Sequence, residues 1–305
     1  MQTCKTHWGD LRFTAVIVGL LVPIVAAHGR PGAATPPRLE GIVATEAGFM
    51  QDQTARKSLT PLQLEIEKQR MRLGSAEVEE RRAAVTELGS MHHPEASRLA
   101  VSGLKDSSAI VRATAAAAIL SLPAAESAAY LIPLLGDKDE FVRREAAYAL
   151  GITRSPTAVS FLIERLLTDK KDEVRGAAAV ALGQIRGAAA VLPLVSVLSP
   201  QYGLASEKKN QKRKKPQDVF LLRAAARALG QIGNRGGLPA LIAVLQDEKA
   251  EDDVRRESAS ALGLIGDPSA LPALRDALTA RDPYLSEAAD KAIQKILRSK
   301  TPSGI

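Results

Sequence analysis

The sequence predicts an all-α chain, an α-solenoid of about seven two-helix repeats, on three observations. A ten-residue stretch recurs along the chain; hydrophobic residues make up 46% of it but aromatics only 3%; glycines and prolines stand where helices would end and begin. With so few rings, Ala, Leu, Val and Ile must fill the core, which suits close-packed helices better than a β-sandwich. The recurring stretch is clearest as VRREAAYALG (142–151), VRGAAAVALG (174–183), LLRAAARALG (221–230) and VRRESASALG (254–263). Weaker copies are ERRAAVTELG (80–89), VRATAAAAIL (111–120) and LSEAADKAIQ (285–294). Successive copies start 31, 31, 32, 47, 33 and 31 residues apart, so one junction carries an insertion of about sixteen residues.

Taken in chain order, residues 1–27 read as an export signal. Lys5 and Arg12 flank the apolar run 13–27, small residues end it at Val25, Ala26 and Ala27, and 15 residues with Pro23 inside are short for a spanning helix. The alternatives are an uncleaved membrane anchor and a buried helix. The only cysteine, Cys4, and the only tryptophan, Trp8, would leave with a cleaved signal. Residues 28–58 read as a flexible linker containing Gly, Ala and Pro. Residues 59–298 form the repeat array, and 299–305 a tail. Within the array, 60–74 begins with Thr60 as cap and Pro61 in the first turn and stops at Gly74. It suits the second helix of an otherwise absent unit. In the third unit Val142, Ala146, Ala149 and Leu150 share one helix face, and Gly151 is placed as a left-handed cap. Ser155 and Pro156 then open a second helix through Phe161, Leu162, Leu166 and Leu167. Pro193, Pro239 and Pro272 stand near the same point in units four to six. Alanine pairs such as Ala146-Ala147 let neighbouring helices approach closely. One helix pair cannot cover its own apolar stripe, so the units must stack.

The pattern D-x-x-x-x-V-R-x-x-A-A-x-A-L-G, seen from Asp137 to Gly151 and from Asp169 to Gly183 and led by Asp106 in a weaker copy, resembles the HEAT-repeat superfamily. The similarity is closest to the short HEAT-like repeats of phycobilisome lyases and covers about residues 60–298. The resemblance implies the solenoid fold; its motif residues are core, cap and turn, so it implies little about activity. Tetratricopeptide and ankyrin signatures are absent.

Residues that could carry chemistry are few. The recurring arginines Arg112, Arg143, Arg175 and Arg255 read as structural, paired with acids of their own loops such as Asp139 or Asp172. Of four histidines, His92 and His93 lie together in a turn before Pro94, a poor basis for a metal site without a third ligand. Deoxyhypusine hydroxylases share this repeat type and hold iron with His-Glu pairs, but the chain has no His-Glu dipeptide. Nothing in the sequence argues for a tetrapyrrole face, a Ser-His-Asp arrangement or a phosphate-binding loop. No cofactor, metal ligand or catalytic residue is therefore expected. HEAT-like DNA glycosylases need aromatics on a basic surface, whereas Tyr130, Phe141, Tyr148 and Phe161 sit at spacings that read as core. That argues against nucleic acid.

The insertion holds the most unusual stretch, SEKKNQKRKKPQ (206–217). Its six basic residues and one acid account for +5 of the net charge of +7, so the basic balance belongs mostly to one loop. The expected function is an exported, non-catalytic scaffold that binds a partner on a concave face, here expected to be lined by second helices 157–167, 191–198, 238–245 and 270–278. Lys208, Lys209, Lys212, Arg213, Lys214 and Lys215 are the candidate partner-binding residues. They suit an acidic protein segment, another polyanion or an anionic lipid surface; the plain alternative is a solvated loop. The acidic loop 247–253 lies on the same ridge and is a candidate contact for it. The other functional reading is a lyase-type enzyme or maturation factor related to tetrapyrroles or metals.

Overall fold

A computed structural model of the chain describes residues 59–198 and 218–298. The proposed signal 1–27, the linker 28–58, the basic insertion with Lys208 to Lys215 and the tail from 299 lie outside the described residues. All that follows concerns the second of two contact units, Ser58–Ile305.

The described residues hold fourteen α-helices. Helix α1 (Pro61–Leu73) leads, with Thr60 as its cap as expected, here in a capping box: the Gln63 N–H donates to Thr60 Oγ1 at 3.3 Å, and the Thr60 N–H donates to Gln63 Oε1 at 3.0 Å. Seven first helices follow: α2 (Val78–Ser90), α4 (Ala109–Ala118), α6 (Glu140–Thr153), α8 (Asp172–Ile185), α10 (Val219–Ile232), α12 (Asp252–Ile265) and α14 (Pro283–Arg298). Between them lie second helices α3 (Pro94–Ala100), α5 (Ala124–Leu131), α7 (Val159–Thr168), α9 (Val191–Leu198), α11 (Leu238–Gln246) and α13 (Leu271–Ala277). Each of α7, α9, α11 and α13 is entered through a single 3₁₀ turn, the first of them opened by Pro156. Pro239 and Pro272 occupy the first turn proper, where a missing N–H costs nothing. The eighth step of the recurring stretch supplies one fully buried side chain per unit: Leu88, Ile119, Leu150, Leu182, Leu229 and Leu262. Burying each such side chain contributes about 1.5–3 kcal/mol, which is why the pattern repeats it.

The glycine that ends each recurring stretch has a different role from the one its position suggests. Helix α6 runs two residues past Gly151, and its left-handed cap is Arg154, at φ 53°. The same displacement puts Arg186, Gly233 and Gly266 at the caps of α8, α10 and α12. Gly151 instead sits where α6 crosses α8: a Cβ there would lie 2.8 Å from the Ala181 Cα. Gly183 meets Ala228, Gly230 meets Ala261 and Gly263 meets Ala292 in the same way. These residues let helix backbones touch. Arg154 and Arg186 carry the strain that Gly233 and Gly266 avoid, of order 1 kcal/mol each. Gly loses more entropy on folding, so Arg154→Gly and Arg186→Gly should each raise stability by only ~0.5 kcal/mol in urea unfolding. Unchanged or lower midpoints would contradict this.

The recurring arginines are structural, but they reach across the junction rather than into their own loops. The Arg81 Nε and Nη2 donate to Asp106 at 2.7 and 3.0 Å, those of Arg112 to Asp137 at 2.8 and 2.9 Å, and those of Arg143 to Asp169 at 2.8 and 3.0 Å. Each guanidinium also donates through Nη1 to carbonyls of the turn before its own helix, such as Asp106 and Ser107 for Arg112. The receiving aspartate meanwhile accepts a backbone N–H two residues on, as Asp137 does from Asp139 at 2.9 Å. One arginine thereby ties two successive turns together. Asp139, the expected partner of Arg143, caps its own helix through the N–H groups of Phe141 and Val142.

Arg175 does pair with Asp172 as expected, at 2.6 Å, and donates to the Leu166 carbonyl. Arg255 likewise turns back, to the Leu245 carbonyl, and its neighbour Arg256 takes Asp282.

Candidate docking surface

The first helices form the tighter of two rows. Backbone contact between successive first helices is far more extensive than between successive second helices, as the glycine-alanine crossings require. In two joined rows with the same number of members, the closer-spaced row is the inner side of any bend. Small residues at the crossings draw the first helices together, so any bend of the array puts them on its inner side, where the sequence had placed second helices α7, α9, α11 and α13.

Helical spacing then fixes which side chains this face presents. Steps of three and four residues along α6 give Phe141, Arg144, Tyr148 and Ile152. The same positions give Glu173, Gly176, Val180 and Gln184 on α8, and Phe220, Arg223, Arg227 and Gln231 on α10. On α12 they include Arg256, Ser260 and Leu264, and on α14 Tyr284, Lys291 and Lys295. Ile152 is 59% exposed, Tyr284 66% and Leu264 46%.

The aromatics divide the core reading: Phe141 and Tyr148 pack half-buried against the core, while Tyr130 and Phe161 lie outside it. None of the six described aromatic residues is buried. A crossing closed to backbone contact by Gly and Ala leaves no room for a ring, so rings are displaced to the flanks. Four of the six lie on the first-helix face. Phe220 lies over Gly176, where a Cβ would come within 2.3 Å of its ring. Arg144 stacks on Phe141 with its guanidinium carbon 4.8 Å from the ring centre, and Arg256 on Tyr284 at 5.2 Å. Burial pushes the Tyr148 phenol above its ordinary pKa. Cross-unit ion pairs complete the face: Arg227 holds Glu257 through two contacts at 2.8 and 2.9 Å, and Arg223 approaches Asp253 at 3.5 Å.

Other expected features fall elsewhere. The six basic residues Lys208 to Lys215 lie outside the described residues, so their contact with 247–253 is not part of this geometry. Within that acidic loop, Asp253 is already held by Arg256 at 2.7 Å and Asp252 approaches Arg255 at 3.7 Å. His93 caps α3, its Nδ1 accepting the Glu95 N–H at 3.3 Å. Among the described residues no group of three His, Cys, Asp or Glu side chains could hold a metal ion, and no helix is long and apolar enough to cross a membrane. The sequence did carry a signal for this face. The position just before each copy differs from unit to unit, as Phe141, Glu173, Phe220, Asp253 and Tyr284.

Two joined rows of short helices with a repeating core and a varying face define an α-solenoid repeat protein. The HEAT-repeat family profile matches residues 99–183 and 214–294, more than half of the chain, and the chain belongs to that family. The PBS lyase HEAT-like repeat profile matches residues 174–199. Among solved structures, an engineered protein is 22% identical with a TM-score of 0.50, over 76% of this chain and 68% of its own. The complex of CpcE and CpcF of phycocyanin lyase from Nostoc sp. PCC7120 is 21% identical with a TM-score of 0.47, over 89% and 94%. Human deoxyhypusine hydroxylase in complex with glycerol is 20% identical with a TM-score of 0.38, over 77% and 96%. These likenesses concern the fold alone. No curated protein matches the chain.

Proposed function

We propose that this protein is an exported, non-catalytic scaffold that holds a protein partner on its first-helix face. One observation carries the reading: Phe141, Tyr148, Ile152, Phe220 and Tyr284, interleaved with Arg144, Arg223, Arg227 and Arg256, gather on one face, where Ile152, Phe220 and Tyr284 remain exposed. Tyr and Arg are the side chains that dominate binding energy at protein interfaces. The basic stretch Lys208, Lys209, Lys212, Arg213, Lys214 and Lys215 adds long-range attraction for an acidic partner, and its contribution weakens with salt. The apolar run 13–27 supports export.

The test is affinity capture from the native envelope fraction, with identification by mass. The exposed-face double variant Ile152→Asp/Tyr148→Ser should lose the partner at least about tenfold, the loss expected when one or two central contacts of 1.4 kcal/mol or more are removed. Circular dichroism must match the wild type. Replacement of the six basic residues by Ser should weaken capture at low salt and leave it unchanged at high salt. Undiminished capture by the double variant would remove the assignment. The alternative, a lyase-type enzyme or maturation factor, draws on the repeat match at 174–199; a chromophore or metal travelling with the purified protein would favour it.

A further inference from the structure

The furrow between α12 and α14, at the C-terminal end of the same face, is a formed cavity of about 450 Å³. Its floor is the Gly263–Ala292 crossing, where a Cβ on Gly263 would lie 2.8 Å from the Ala292 Cα, so it cannot close further. Leu264 and Tyr284, both exposed, supply apolar walls. Its rim is cationic: Arg256, Lys291 and Lys295 against Glu287.

These charges are unequally engaged. Arg256 is held by Asp253 and Asp282 beneath the rim and stacks on Tyr284. Lys291 contacts Glu287 at 2.6 Å but remains 72% exposed, and Lys295 has no carboxylate partner among the described residues. Lys291 and Lys295 stand one helical turn apart, on the same side of the apolar pocket.

We propose that this furrow is the anchor site for an acidic amphipathic segment of the partner. An apolar side chain fills the pocket over Gly263, and carboxylates about one turn apart meet Lys291 and Lys295. The proposal rests on the first-helix face being the docking surface and adds the partner's chemistry. Charge complementarity selects the occupant: Lys295 has no carboxylate partner among the described residues and Lys291 shares only the exposed Glu287, which fits carboxylates flanking a side chain inserted over the apolar floor. A further copy of the array does not fit as a continuation. Gln294 stands in α14 where the crossing glycine stands in α12, and with Asp290 it makes the outer flank polar, as a terminal repeat requires.

The experiment is fluorescence anisotropy of the full chain with two synthetic peptides of identical leucine spacing, one flanked by Glu and one by Lys. The Glu peptide should bind at least about tenfold more tightly, a difference of 1.4 kcal/mol. Lys291→Glu/Lys295→Glu should reverse the preference, and Leu264→Ser/Tyr284→Ser should weaken the Glu peptide about tenfold without altering the helical signal. Equal binding of the two peptides, or a preference insensitive to charge reversal, overturns the proposal. So does tighter, lysine-dependent binding to phosphatidylglycerol vesicles than to the Glu peptide, which would make the site a lipid contact. If the furrow fails while Ile152→Asp/Tyr148→Ser still abolishes capture, only the anchor assignment falls; if both fail, the docking face falls with it.

Discussion

Gly230→Ala is expected to destabilise the array by ~1–2 kcal/mol, against the direction of helix propensity. Alanine in a helix interior normally gains up to about 1 kcal/mol over glycine. Here its Cβ would stand 2.7 Å from the Ala261 Cα and 2.9 Å from the Ala261 Cβ, so α10 and α12 must move apart. Overpacking of a close-packed contact costs about 1–3 kcal/mol, enough to outweigh the propensity gain, and Gly230→Val should cost ~3 kcal/mol or more. Gly136, with open space around its would-be Cβ, is the control, and Gly136→Ala should be neutral or slightly stabilising. Each unit touches only its neighbours, so the strain stays at one interface and should broaden or split the urea transition. Gly230→Ala as stable as the wild type would show that the crossing is not under steric control.

Loss of an arginine clasp should be the second large effect. Arg112 and Asp137 are 8% and 13% exposed at the side chain, and the pair is bidentate. Asp137→Ala leaves the Arg112 charge among backbone carbonyls with its main partner gone, and should cost ~2–4 kcal/mol. Arg227→Ala, which breaks a pair whose arginine is 54% exposed, should cost at most about 1 kcal/mol.

The clasps also set the acid response. Burial pushes the Asp137 and Asp169 carboxyls up, but the arginine hydrogen bond, a backbone N–H and the arginine charge together outweigh it, so both titrate below the ordinary range. For Asp106 the Arg81 hydrogen bond is the largest influence and acts downward directly. Carboxyls depressed in the folded state stabilise it fully above the unfolded pKa of about 3.9, and this is lost as pH falls through the folded values. The urea midpoint should therefore hold near neutrality and drop below about pH 5. Asp137→Asn should lower it at pH 7 and flatten the drop. An equal acid slope in both proteins would detach the clasp from acid unfolding.

Much of this protein was legible in the sequence, because a solenoid writes its fold as a period. The repeat length, the buried Leu150 and Leu182, the Thr60 cap and the second helices all follow from which side of a helix must be apolar and where a helix can start. Periodicity says which way a residue faces. It does not say how near the neighbouring helix comes, and that distance decided the rest. Contact between backbones at Gly151, Gly183, Gly230 and Gly263 made these crossing residues rather than caps and moved the caps to Arg154, Arg186, Gly233 and Gly266. The same contact expelled Phe141, Tyr148, Phe220 and Tyr284 to a face and put the first helices in the closer row. Arg143 found Asp169, 26 residues away, because stacking alone brings those turns together. Periodicity was enough to specify the repeat, its core and its family. The spacing between units then settled which side chains stand on the first-helix face, because a crossing at backbone contact leaves no room for a ring.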